Sequence, residues 1–407
     1  MCFFVYLACY TARNILSVVS PQMERDGINK TVVGLMSAVS FFSYGFGQLI
    51  NGLLGDRIKL KYMLLTGLLL SALSCALFGI IRDVTLCTLL WCVCGFGNSF
   101  FYAPLVKTVA EHTEGRHAEI CMTALNAASI LGAVVAGVIG GAVGSWRTAF
   151  YVTAIILCAS LVLEVIINTV LDKIYKKEEQ TEQGENSFAD MKGFKSGVLS
   201  VAELMPIKAF FKQFLSAGGI VVILLMVIQG TAKNAITFWV PTYISDRLNF
   251  DPHTAALITA VMMAVTTFNQ VISIFLYHLF KGKFARVVGF SFAVALVCFV
   301  LLIFVKSTIL NLILLIVAVC AYNWAGNIIW TFYCRSFRST GRVSFLVGFL
   351  DCSGYIAAGL ANLVFSNAVD SIGWVNLIII WGAIMFVGVL LTFFFKDRRE
   401  IAGNIIR

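Results

Sequence analysis

Three positively charged side chains stand where an apolar environment should exclude them. Arg13, Lys107 and Lys233 each fall inside a long apolar run. A cation at the centre of a bilayer costs about 2.5–3.5 kcal/mol on insertion scales. None of the three should therefore face lipid, and each should face a water-filled cavity or a carboxylate. Carboxylates are scarce in these runs: Asp351 is the clearest, and Glu164 lies nearer the end of its run. Cations in excess of acids, facing water inside an apolar protein, suit an anionic solute. Tyr6, Tyr10 and Arg13 stand at i, i+4 and i+7, on one helical face. Two phenol hydroxyls beside a guanidinium fork can hold a tetrahedral oxyanion, and Lys233 would add a compact point charge. The plainer alternatives are that Arg13 or Lys233 snorkels or pairs internally, and that Lys107, nearer its span's end, reaches water. Asp351 and Lys107 are candidate proton or charge-pair residues.

The elements that must carry these residues are membrane spans. Of the 407 residues, 59% are hydrophobic and 13% charged, and the mean hydropathy is +0.90. A soluble chain could not hide that much apolar surface. Spans of roughly 20 apolar residues are expected near 2–23, 32–55, 62–81, 84–110, 118–143, 147–171, 217–243, 254–280, 287–305, 309–333, 343–369 and 374–395. That is an all-α integral membrane fold of twelve spans. Residues 1–171 form one six-helix half, 172–216 a polar linker, and 217–407 the second half with a short basic tail. The linker's end, Ile207 to Phe214, alternates apolar and basic residues at helical spacing and could lie flat on a membrane. With the linker and both termini on the cytoplasmic side, Lys and Arg in the cytoplasmic segments far outnumber those in the outer loops. This is the positive-inside pattern and suits an even span count in the cell membrane. No cleavable signal peptide is evident, so either the first span begins almost at Met1 or the start is truncated.

The two halves share a pattern. Arg13-Asn14 precedes Pro21, and Lys233-Asn234 precedes Pro241 at the same distance. Phe46-Gly47-Gln48-Leu49-Ile50 parallels Phe268-Asn269-Gln270-Val271-Ile272 at nearly the same offset. A repeat of this kind predicts halves related by a pseudo-twofold axis, with Arg13 and Lys233 equivalent and a binding site near mid-membrane. Gln48 and Gln270 are then expected to line the cavity as neutral hydrogen-bonding groups, the alternative being interhelical glue. Glycines such as Gly137 and Gly141, in GxxxG spacing, read as close-packing positions where helices meet.

Other chemistries find little support. The 12 cysteines mostly lie within apolar runs, and no CxxC or Cys/His set has metal-ligand spacing. No nucleophile–base pair, Walker loop or Rossmann context emerges, so no enzyme activity, metal or cofactor is expected. The net charge of +9 is spread between apolar stretches and is not a nucleic-acid patch.

With these residues in place, the chain resembles the major facilitator superfamily. Gly52-Leu53-Leu54-Gly55-Asp56-Arg57, leading to Lys61, resembles that family's signature cytoplasmic loop. The resemblance implies a gating latch at Gly52, Asp56, Arg57 and Lys61. More narrowly, the chain is similar to the bacterial organophosphate:phosphate antiporters. That similarity rests on Tyr10 to Asn14, Tyr44-Gly45-Phe46, Trp239 to Tyr243, Gly348-Phe349 and Gly354-Tyr355. It implies that Arg13 and Lys233 grip a substrate phosphate, beside Tyr6, Tyr10 and Tyr355. Gln48 stands where the family often has a lysine, Ser129 where the glycerol-3-phosphate carriers have a histidine, and Lys233 where arginine is usual.

The expected function is transport of small organic anions, phosphorylated metabolites first, by alternating access with exchange for inorganic phosphate. A monomer in a lipid bilayer, binding no nucleic acid, is expected. The alternatives are proton-coupled symport of a carboxylated or neutral solute, with Asp351 as proton site, and a transporter-like sensor of sugar phosphates.

Overall fold

The computed structural model describes residues 2–54, 60–102, 105, 115–182, 205–340 and 342–395. Asp56, Arg57 and Lys107 lie outside the described residues. Long apolar runs with few prolines form helices because an internally hydrogen-bonded backbone is the low-cost state away from water. In chain order these are α1 (Cys2–Arg25), α2 (Lys30–Leu54), α3 (Leu60–Ile80), α4 (Val84–Asn98), α5 (Gly115–Ala142), α6 (Trp146–Glu182) and α7 (Ile207–Ser216). The second half continues with α8 (Gly219–Leu248), α9 (Pro252–Leu279), α10 (Phe284–Phe304) and α11 (Thr308–Phe337). The last helical stretch, Val343–Phe393, is broken at Gly373. Its φ of 77° and ψ of 171° leave the helical region at little cost only for glycine. It thus divides into α12 (343–372) and α13 (374–393). Leaving α7 aside, twelve helices lie where hydropathy expects spans; among the described residues nine stretches are long and apolar enough to cross a membrane, with α12 and α13 counted as one, and α4 and the 127–142 part of α5 are shorter.

Several boundaries follow local chemistry. Asp83 caps α4 by accepting from the Leu86 amide at 2.8 Å. Asp251 accepts from the His253 and Thr254 amides ahead of Pro252, which opens α9. The helix α6 runs on to Glu182, past the polar onset near residue 172. On α7, Phe210 and Phe214 are buried against Phe337, and Lys208 and Lys212 stay exposed. The helix therefore docks one aromatic face on the second half.

The halves meet along three seams: α1 with α8, α2 with α12, and α5 with α9. The α5–α9 seam is close because α5 offers glycines. A Cβ at Gly137 would run into Ala260, and one at Gly141 into Leu257. These are the positions that the GxxxG spacing marked for close packing.

Among the described residues, the hydrogen bonds and ion pairs joining the halves all lie between the level of Arg13 and the α1–α2 turn. Ser17 Oγ donates to the Phe238 carbonyl at 2.6 Å, and the Ser20 and Thr242 hydroxyls share a bond of 2.8 Å. Asn362 Nδ2 donates to Ser37 Oγ at 3.1 Å, and Thr31 Oγ1 to Asn367 Oδ1 at 3.3 Å. Near the turn, Lys30 Nζ lies 2.8 Å from Asp246 and 3.7 Å from Asp370. The bundle is closed at the α1–α2 end.

Candidate functional site: a guanidinium in a tyrosine cage

Arg13 projects from the middle of α1 into the seam between the halves and is half-buried. Its Nη2 donates to Asn234 Oδ1 at 3.2 Å and to the Tyr355 hydroxyl. Both acceptors belong to the other half. Three rings surround the guanidinium, with centroids at 4.5 Å (Tyr44), 4.8 Å (Tyr355) and 5.3 Å (Tyr10). Ring quadrupoles at these distances offset part of the cost of removing the charge from water. The other terminal nitrogen, Nη1, is buried and has no hydrogen-bond partner. An orphaned buried donor costs about 1–3 kcal/mol, and more on a charged group. It is the position at which an arriving acceptor would gain most.

The tyrosines form a continuous set. Tyr6 is buried, its hydroxyl donates to Tyr10 at 3.4 Å, and the two rings meet edge-on at 4.9 Å. Tyr44 and Tyr355 lie 4.5 Å apart across the α2–α12 seam. Gln48 is 7% exposed, and its Nε2 donates to the Tyr44 hydroxyl at 2.7 Å, one turn back on α2. Tyr102 lies 6.4 Å from Tyr6 and is more than a third exposed. Beyond Arg13, toward the closed end, a cavity of only about 10 Å³ remains, lined by Ser37, Ser40, Asn98 and Phe238 among others. That is room for about one water.

Lys233 is arranged differently. It lies in a π-helical segment, Thr231–Ile236, within α8, and its side chain is exposed. The π turn adds a residue to the helical circuit and re-aims the side chains around it. Thr237 Oγ1 partly satisfies the disturbed ladder, donating to the Ala232 carbonyl at 3.3 Å and sharing a bond of 2.7 Å with Tyr322. The repeated asparagines behave alike. Asn14 Nδ2 donates to the Tyr10 carbonyl at 2.7 Å and Asn234 Nδ2 to the Gly230 carbonyl at 3.1 Å, each four residues back. Only Asn234 then uses its oxygen to hold the cation of the opposite half. Asp351 is half-buried on α12 and interacts electrostatically with Lys233 first and Arg13 second. Among the described residues the ion pairs all involve Lys30, so Asp351 closes none with either cation.

The structure thus brings together Arg13, Tyr6, Tyr10, Tyr355 and, through Tyr44, Gln48, with Asp351 and Lys233 in electrostatic reach of one another. Ser129 is half-buried on α5, one turn before Gly132, which packs against Leu7, Tyr10 and Thr11. Gln270 does not match its repeat partner. It is exposed, and its Nε2 donates to Thr331 of α11 at 3.3 Å. A 3-10 turn at Thr266–Phe268 ends two residues before it and rotates the helix face, so equal sequence positions do not face equal ways. In the expected latch, Gly52 lies near the end of α2, and Lys61 is half-buried at the start of α3 with its ammonium 5.7 Å from the Tyr62 ring centre. Tyr44, Tyr102 and Asn234 were not singled out as site residues. The signal for Asn234 was its place in the repeat, and for Tyr44 its turn spacing from Gln48. Among the described residues no group of His, Cys, Asp and Glu could hold a metal ion.

A two-half helical bundle with a charged cluster at mid-depth, sealed at one end, is the build of a secondary carrier. The chain belongs to the Major Facilitator Superfamily, which it matches over residues 2–359. That membership places it among transporters rather than enzymes. A probable hexose phosphate transport protein of Chlamydia pneumoniae is 27% identical over 175 residues, 42% of this chain and 38% of that one. The glycerol-3-phosphate transporter of Bacillus subtilis is 29% identical over 162 residues, 38% of this chain and 36% of that one. Each match spans well under half of the relative's length. In fold, a bacterial homolog of the human lysosomal transporter Spinster, in an inward-facing and unoccupied conformation, superposes with a TM-score of 0.76 at 12% identity. That likeness covers 97% of this chain and 95% of the other.

Proposed function

We propose that this protein carries small phosphorylated metabolites across the cell membrane by alternating access, in exchange for inorganic phosphate. The observation that carries this reading is the buried, unpartnered Nη1 of Arg13 inside a ring of tyrosines. A phosphate oxygen is a strong acceptor for a guanidinium fork, and the phenol hydroxyls of Tyr10 and Tyr355 can serve its remaining oxygens. Lys233 neutralises a second charge, and Asp351 tempers the cluster when the substrate is absent. The partial similarity to hexose phosphate and glycerol-3-phosphate carriers points the same way.

The excess of Lys and Arg in the linker and the other segments on its side supports a cytoplasmic linker with both termini beside it. The sealed α1–α2 end then faces outward, and the conformation is inward-facing. Substrate arriving at Arg13 and Lys233 draws the halves together at the linker end, after which the α1–α2 end opens. A monomer suffices, because one chain supplies both halves of the site.

Purified protein in phosphate-loaded vesicles should take up labelled hexose or glycerol phosphates only when phosphate is inside. Uptake driven by a pH gradient alone, with Asp351→Asn abolishing it, would instead support the proton-coupled reading, in which Asp351, in electrostatic reach of Lys233 and Arg13, carries the proton.

A further inference from the structure

The α1–α2 end holds a charge cluster that the binding site does not use. Lys30, the first residue of α2, lies 2.8 Å from Asp246 on α8, 3.5 Å from Glu24 on α1 and 3.7 Å from Asp370 on α12. Glu24 and Lys30 belong to the first half, and Asp246 and Asp370 to the second. One ammonium thus holds carboxylates from two helices of the opposite half. The side chains of Lys30, Glu24 and Asp246 keep only 19%, 13% and 29% of their exposure, so solvent screens them incompletely. Neighbouring polar contacts reinforce the seam: Thr242 Oγ1 reaches Glu24 at 3.5 Å, and Thr31 reaches Asn367. Of the neighbouring charges, one has a partner of its own and two are exposed. Asp26 accepts from Trp146 Nε1 at 2.8 Å, and Arg25 and Arg247 are exposed.

The carboxylates outnumber the ammonium three to one in this cluster. Without Lys30 the halves would bring like charges together at this end, so Lys30 converts a repulsive contact into an attractive one. A pin of this kind acts on the equilibrium between the two access states rather than on substrate binding. It favours the state closed at the α1–α2 end and must break each time that end opens.

We infer that Lys30 is the pin of an interhalf lock: its contacts with Asp246 and Asp370 hold the α1–α2 end shut and set how often that end opens. The inference rests on the alternating-access reading, and one experiment separates the two. In a Thr31→Cys/Asn367→Cys protein, oxidation should join the halves, stop exchange, and be reversed by reductant. Adding Lys30→Ala should slow the cross-link by about threefold to tenfold, as expected for losing partly screened ion pairs. Asp246→Asn, which keeps the shape of the side chain, should slow it in the same direction. Glu24→Gln, which removes the charge facing Lys30 from the same half and keeps an oxygen to accept from Thr242, should not slow it. The exchanged pair Lys30→Asp/Asp246→Lys should recover most of the parent rate. If the cross-linked protein still exchanges substrate at full rate, alternating access at this end is wrong. If the cross-link blocks exchange but forms at the parent rate in both Lys30→Ala and Asp246→Asn, the lock alone is wrong.

Discussion

Arg13 and Lys233 occupy matching places in a sequence repeat, yet the protein treats them in opposite ways. Arg13 stands on an unbroken helix, half-buried, with three tyrosine rings around it and two bonds from Nη2 into the other half. Lys233 stands on a π turn, exposed, and makes no ion pair among the described residues. A planar fork has a geometry worth fixing, and the cage fixes it. A lysine is a compact charge on a flexible stem, so its usefulness lies in reach. Under the proposed transport the contrast is a division of labour, in which Arg13 would orient the substrate and Lys233 would add charge as it arrives.

The largest expected effect tests the fixed side of this contrast. Arg13→Ala should lower exchange by about thirtyfold or more, the loss typical of truncating one partner of a buried charged hydrogen bond. Arg13→Lys should be nearly as damaging, because a point charge cannot bond Tyr355, Asn234 and a phosphate as a fork does. Exchange normalised to folded protein in the membrane is the measurement, and near-normal rates in either variant would remove Arg13 from the binding site.

A smaller loss is expected on the other side. Lys233→Ala should reduce exchange by about threefold to tenfold, since an exposed charge is partly screened. Lys233→Arg should be tolerated, because a side chain that needs reach more than geometry can be replaced by another long cation. If Lys233→Arg failed as badly as Lys233→Ala, a specific ammonium geometry would be at work and the division of labour would be wrong.

The smallest effect concerns the glutamines, the other repeated pair. Gln48 is buried and bonded to Tyr44, whose ring lies 4.5 Å from the Arg13 guanidinium. Gln270 is exposed and bonded to Thr331 within its own half. Gln48→Ala should raise KM by about twofold to fivefold, as expected for the loss of one hydrogen bond that orders the cage. Gln270→Ala should leave it unchanged. Equal effects would mean that the repeat governs function more closely than the packing does.

Much of the architecture was legible without coordinates, for reasons particular to a membrane. The bilayer tests each segment for apolar length almost independently of the others. Hydropathy therefore placed helices at all twelve expected positions, even resolving the last two, which the backbone separates only at Gly373. The same solvent makes an intramembrane cation conspicuous, which is why Arg13 and Lys233 could be singled out. The repeat was legible too, and Asn14 and Asn234 show it acting locally through the same bond to a carbonyl four residues back.

What surrounds those cations was decided only by tertiary packing. Arg13 and Tyr355 are 342 positions apart, and nothing in the local pattern of either names the other. Tyr44 and Asn234 enter the cage because α2, α8 and α12 converge on α1, not because of their own composition. The π turn that exposes Lys233 and the 3-10 turn that rotates Gln270 each shift a helix face by part of a turn, a change too small to disturb hydropathy. Sequence alone determined that this chain spans the membrane as two related halves and carries uncommon positive charge within its apolar runs. The fold decided which groups meet that charge, because such contacts depend on the relative rotation and depth of whole helices, which no single segment encodes.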